Sequence, residues 1–244
     1  MSLNLLPESM LRAMDLLPTA QVPVTLFTRH SLREIVDGRG LSGYDLQLTS
    51  QGRDLAYAWG ECLIENTDRV IQHCISSPIQ RCVDTAALMI QGADAISAEN
   101  NTHHIEIIEQ GLLVEPGSFV LDIKKAAPYF REQGALGFIN SFVNNALPGM
   151  KHPIRGVLDV LELIYETHPT NTNGLSLAVS HDTILAAIIA VISRRTHIDQ
   201  SEWPEMMEGL FAWFEGEDFT DSQLKWIWRG QLGSLSIREF QNLQ

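Results

Sequence analysis

The sequence predicts an α/β protein: a three-layer α/β/α sandwich around a mostly parallel sheet, with a helical insertion. Three observations carry this. Short apolar, β-rich runs at Val22 to Thr28, Val70 to Ile75 and Leu175 to Val179 are separated by stretches of helical periodicity. Parallel strands need crossover connections, and an intervening helix supplies one. With 45% apolar and 19% charged residues, the 244-residue chain can bury a large core.

Each element has its own local reason. Around residues 5–17, Leu5, Leu6, Met10, Met14 and Leu17 recur at helical spacing before Pro18 stops the run. Val22 to Thr28 reads as the first strand. Thr49 to Ile64 reads as a helix with Leu55, Ala58, Trp59, Cys62 and Leu63 on one face. Val70 to Ile75 is a second strand, and Ser76-Ser77-Pro78 looks like the start of the next helix. Serine caps well there, and proline lacks only an N–H that the first turn does not use. His104 to Ile108 alternates weakly as a third strand. Leu121 to Tyr165 is mainly helical, interrupted by Pro128, Pro148 and Pro153. Leu175 to Val179 is an apolar strand, followed directly by an apolar helix from Asp182 to Ile192. Leu224 to Arg229 and Ser234 to Ile237 are expected at the sheet edge. No repeat or linker divides the chain, so residues 1–244 are expected to form a single domain, with 121–172 as the helical insertion or cap.

The formal charge of −13 leaves no basic excess for a nucleic-acid partner, although a few arginines can still make a local anion pocket. No stretch approaches the roughly 20 apolar residues of a membrane span, and the N-terminus does not read as a signal peptide. Cys62, Cys74 and Cys82 lack metal-binding or redox spacing and are expected as buried, reduced thiols of a cytoplasmic protein. His103-His104 invites a metal reading, but no carboxylate or cysteine stands at a convincing ligand interval. Trp203, Trp213, Trp226 and Trp228 are expected in the core or at an oligomer interface. No GxxxxGK or GxGxxG loop is present.

In open α/β sheets, ligands bind beyond the carboxyl ends of strands. Three such ends carry Thr28-Arg29-His30-Ser31-Leu32-Arg33, Ser76-Ser77-Pro78-Ile79-Gln80-Arg81 and Ser180-His181-Asp182-Thr183. Two histidines, three arginines and two helix N-termini would meet on one rim. Arginine forks bond two phosphate oxygens at once, helix N-termini favour anions, and neutral imidazole is a competent nucleophile.

At these residues the chain resembles the histidine phosphatase superfamily, including its phosphoglycerate mutase-like and acid phosphatase-like branches. TLFTRHSLRE matches the strand ending in Arg-His-Gly, and LTSQGRDLAYAWGECL resembles the L-T-x-x-G helix. ISSPIQRCVDTA matches the S-S-P-x-x-R block, and LAVSHDTI the late strand followed by histidine. The resemblance implies that His30 is phosphorylated while Arg29, Arg81 and His181 hold the equatorial oxygens. Arg33 matches an additional phosphate-binding arginine. For the general acid it offers Glu115, in LLVEPGSF, or Asp182 beside the second histidine, with Glu109 a third choice. Ser31 stands where the family usually has glycine, so serine is expected to shift the loop or line the pocket. The expected activity is hydrolysis of small phosphomonoesters without metal or organic cofactor. A phosphomutase using the same site and a catalytically silent phospho-ligand-binding protein are the alternatives.

Overall fold

Strand β1 (Val24–Arg29) is buried at every position, as a strand paired on both edges and covered on both faces must be. The computed structural model describes residues 2–35, 43–96, 105–115 and 117–243. β1 sits in a seven-stranded sheet with β2 (Val70–Ser76), β3 (Ile107–Glu109), β4 (Gly174–Ser180), β5 (Gly209–Glu215), β6 (Gln223–Trp228) and β7 (Gln231–Ser236), in the order β3-β2-β4-β1-β5-β6-β7. β1 to β4 run together, β5 opposes them, β6 realigns with them and β7 opposes again. The parallel half is therefore β3-β2-β4-β1.

Alternation along β1 sends Leu26 and Phe27 to opposite faces. On the Leu26 face lie α1 (Glu8–Met14), α2 (Ser50–Thr67) and α3 (Gln80–Ile96). The Phe27 face is covered by α4 (Ile123–Val143), α5 (Pro153–Glu166), α6 (Asp182–Ile192) and α7 (Ile237–Gln241). This is the expected three-layer sandwich. Every residue of α6 after Asp182 is buried, because it packs against β1 on the sheet side and against α4 and α5 outside. Residues 121–172, expected as an insertion or cap, supply α4 and α5; α4 carries Pro128 and bends at Gly134, whose φ is 67°.

On the other face, α2 and α3 approach so closely that a methyl group on Gly60 would lie 2.0 Å from the Met89 carbonyl oxygen. One on Gly92 would lie 2.0 Å from that of Tyr57. These glycines bring the two helix backbones into direct contact.

Several elements depart from expectation. β5 was not anticipated, although Gly209 to Trp213 are all buried, as in β1 and β4; it opens on a glycine and, unlike them, contains no β-branched residue. The first helix divides, with a 3-10 turn at Ser2–Leu5 and α1 beginning only after Pro7. α3 starts at Gln80 because Ser76 still belongs to β2. β3 is a short edge strand, and His103 and His104 fall outside the described residues. Trp213 and Trp226 are buried, as expected of core tryptophans. No described helix is long and apolar enough to cross a membrane.

Candidate active site

Register brings the three predicted segments together. Arg29 lies opposite Ser180 across β1 and β4, and Ser76 lies opposite Val179 across β2 and β4. His30, Ser77 and His181 thus leave the sheet side by side, and the His30 N–H still bonds the Ser180 carbonyl at 3.0 Å.

His30 is 2% exposed. Its Nδ1 lies 2.8 Å from the Ser31 carbonyl oxygen, which can only accept, so Nδ1 carries the proton. Nε2 is left with its lone pair, and Arg81 Nε donates to it at 3.0 Å. Burial, then the charges of Arg29, His181 and Arg81, hold the imidazole well below the usual histidine range. The ring is therefore neutral at physiological pH.

Arg81, 1% exposed, joins the two histidines. Its Nη2 donates to His181 Nδ1 at 3.3 Å, so His181 Nε2 bears the proton and donates to Ser77 Oγ at 3.0 Å. The two imidazole centroids are 5.6 Å apart. Burial and the neighbouring Arg81 push His181 down to about 3. Ser77, expected only as a helix cap, also receives the Ile79 N–H at 3.4 Å and so fixes the second histidine as well as the turn into α3.

Arg29 is directed by two acceptors: Asp182 Oδ2 at 2.7 Å and the Pro204 carbonyl at 2.7 Å. Its Nε is buried with no hydrogen-bond partner among the described residues, as is Arg33 Nε. Burial and the charges of Arg81 and Arg29 make the Arg33 cation easier to deprotonate, the signature of like charges held together. An anion placed here relieves that repulsion and gives the orphaned N–H groups an acceptor. Asp182 also accepts from the Thr183 N–H at 2.9 Å, which occupies it as an ion-pair partner and a helix-start residue.

Glu115 is 6% exposed, and its carboxyl is raised to about 7 by burial first and the Asp182 charge second. Arg81 and Arg29 pull it the other way, as does the nearby Thr183 hydroxyl, which is buried without a well-formed hydrogen bond. Tyr44 donates its hydroxyl to the Glu115 backbone carbonyl at 2.7 Å. Glu109, by contrast, is exposed at the end of β3. All seven expected site residues therefore fall in one cluster, with Glu115 the carboxyl whose environment suits proton exchange near neutrality.

Ser31 neither lines the pocket nor strains the loop. It is fully buried, is absent from the positive-φ residues, and donates its hydroxyl to the Gly52 carbonyl at 2.7 Å. Its N–H bonds Thr85 Oγ1 at 3.0 Å, while the Thr85 hydroxyl donates to the Arg81 carbonyl at 2.7 Å. Gly52 has to be glycine, because a Cβ there would sit 2.1 Å from the Leu32 carbonyl oxygen. Thr49 caps α2 through the Gly52 N–H at 3.0 Å. Among the described residues, no group of three His, Cys, Asp or Glu side chains stands at metal-binding geometry.

Residues 25–112 match the histidine phosphatase superfamily, branch 1. The match takes in His30, the Gly52 helix and the Ser-Ser-Pro-Arg block, and ends before Glu115 and His181. No curated protein matches the chain in sequence. Among solved structures, a mycobacterial hydrolase ("Mycobacterial hydrolase 1") aligns at 16% identity and TM-score 0.57, covering 85% of this chain and 98% of its own. A mycobacterial glucosyl-3-phosphoglycerate phosphatase aligns at 15% identity and TM-score 0.53, with 86% and 99% covered. Phosphoglycerate mutase from Bacillus anthracis aligns at 15% identity and TM-score 0.50, with 91% and 96% covered. At such identities the structures establish the fold, which extends the likeness over the rest of the chain. The histidine phosphatase resemblance is borne out over the first three of its four blocks, and the fold agrees with it over the rest.

Proposed function

We propose that this chain is a phosphatase that hydrolyses small phosphomonoesters through a phosphohistidine on His30. The observation that carries the reading is the state of His30: neutral, proton fixed on Nδ1, and the Nε2 lone pair held by Arg81 with the Arg29 charge nearby. Nε2 attacks phosphorus, the P–O ester bond breaks, and Glu115 gives its proton to the departing oxygen. The Arg81 N–H now donated to the imidazole is the one a phosphoryl oxygen takes. Arg29, Arg33 and His181 hold the remaining charge, and fixed donors of this kind contribute most where charge develops. Glu115, now a carboxylate, removes a proton from water; the oxygen attacks phosphorus, the P–N bond breaks, and neutral His30 returns. Three guanidinium groups against the one Asp182 carboxylate, with Glu115 protonated, favour a dianionic ester.

Asp182 is assigned to hold Arg29 rather than to donate the proton. No metal or organic cofactor enters this scheme. We assign residues 1–244 to a single domain and 121–172 to substrate selectivity, and the three unbridged, buried cysteines support a reducing, cytoplasmic setting. The test is hydrolysis of p-nitrophenyl phosphate with chelator present, wild type beside His30→Ala. Turnover in the wild type and a loss of roughly 10³-fold or more in the variant are expected for removal of a nucleophile. Residual turnover near the wild-type rate sinks the assignment. A wild type that binds phosphate without turnover is a silent binder, and one that passes the phosphoryl group to a second substrate hydroxyl is a mutase.

A further inference from the structure

The cluster depends on a turn that contributes no side chain to it. Between residues 203 and 208 the chain passes beneath Arg29 and His30: the Pro204 carbonyl accepts from Arg29 Nη1 at 2.7 Å, and the Met207 N–H donates to the His30 carbonyl at 3.3 Å. The Arg29 N–H bonds the Glu208 carbonyl at 2.9 Å. Met207 is fully buried and holds φ at 65°, a conformation a methionine keeps only when its surroundings impose it.

The turn is held by an ion pair remote in sequence, its carboxylate buried and its guanidinium partly exposed. Glu208 is 2% exposed, and Arg229 donates to both its carboxylate oxygens at 2.7 and 2.8 Å. The same guanidinium donates to the carbonyls of Ser201 and Trp203, each at 3.0 Å. Glu208 in turn accepts from the Glu205 N–H at 3.0 Å and from Ser9 Oγ at 3.0 Å. Both ends of the turn are thus tied to one arginine.

Arg229 is itself an unusual choice for its position. With Gly230 it forms the two-residue loop between β6 and β7, and their φ values are 48° and 73°. A hairpin turn with two positive φ values favours asparagine, aspartate or glycine at the first place. The arginine carries backbone strain there, and its guanidinium is what the rest of the fold uses.

We propose that Arg229 and Glu208 are positioning residues: a clamp that fixes the 203–208 turn and through it the orientation of Arg29 and the backbone of His30. This rests on the phosphoryl-transfer reading of the site, and the experiment separates the two. In the Arg229→Asn/Glu208→Gln double variant, asparagine suits the hairpin and glutamine leaves no unpaired buried charge, so the protein keeps its fold. The expected result is a kcat at least tenfold lower with KM changed less than threefold. Vanadate binding, followed by titration calorimetry, weakens by a similar factor. The acidic limb of the His30 titration, followed by NMR, moves upward as Arg29 loses its direction. Arg229→Lys restores a cation without the fork and recovers less than half of the lost rate. Wild-type kcat and vanadate affinity in the folded double variant overturn the clamp, as does full recovery by lysine. If the wild type shows no turnover at all, the functional reading fails. Vanadate affinity and the His30 titration then still decide the clamp.

Discussion

Replacing Glu115 by glutamine should stabilise the protein at alkaline pH while damaging its chemistry. The carboxyl titrates at about 7 in the fold against 4.5 as an unperturbed group. At about 1.4 kcal/mol per tenfold change in protonation, this displacement corresponds to roughly 3 kcal/mol. The sign follows from which state holds the proton. Below pH 4.5 both folded and unfolded chains are protonated, and the raised value has no effect on stability. Between 4.5 and about 7 only the folded chain keeps its proton, so stability falls as pH rises, and above 7 the penalty is constant. Glutamine removes the penalty. Urea unfolding of the two proteins should give midpoints that coincide at about pH 4 and differ at about pH 8. A slope of ~3 kcal/mol per molar puts the variant higher by about 1 M there. The same variant should hydrolyse alkyl phosphates far more slowly than the wild type yet lose less on p-nitrophenyl phosphate, whose leaving oxygen hardly needs a proton. Equal midpoints at pH 8 would show that Glu115 is an ordinary carboxylate and remove the basis for making it the acid.

Three further substitutions test the frame around it. Arg81→Met removes the donor shared by both histidines and should cost ~10²–10³-fold in kcat/KM, measured with p-nitrophenyl phosphate. Ser31→Gly should leave kcat within about twofold while lowering stability by ~1–2 kcal/mol, through the lost bond to Gly52 and the freer unfolded chain; calorimetry checks it. Gly52→Ala drives a methyl group into the Leu32 carbonyl, and should cost ~1–3 kcal/mol together with activity, since the displaced backbone belongs to the His30 loop.

The parts of this protein that sequence reveals are those whose chemistry is local. Arg29-His30, Ser77 to Arg81 and Ser180-His181 each sit at a strand end, and a strand followed by a helix start is visible in a few residues. Glu115 was legible only by resemblance, because a glutamate in an irregular loop has no pattern of its own. Ser31 was misleading for a related reason. Its neighbours along the chain suggest a pocket residue, whereas its partners, Gly52 and Thr85, come from two other helices. β5 escaped although Gly209 to Trp213 are buried as continuously as β1 and β4, which were legible; it opens on Gly209, a poor strand former, and contains no β-branched residue. The pairing of Glu208 with Arg229 crosses 21 residues and a hairpin, and no spacing announces it.

The contact of α2 with α3 through Gly60 and Gly92 bears on how the protein can move. α2 is fastened to the His30 loop by Thr49, Gly52 and the Ser31 hydroxyl, while α3 carries Arg81. With no side chains between their backbones at the crossing, the helices have little room to slide or tilt independently. His30 and Arg81 therefore ride on a common chassis. The bend of α4 at Gly134 lies on the opposite face of the sheet, so movement there need not change the spacing of His30 and Arg81.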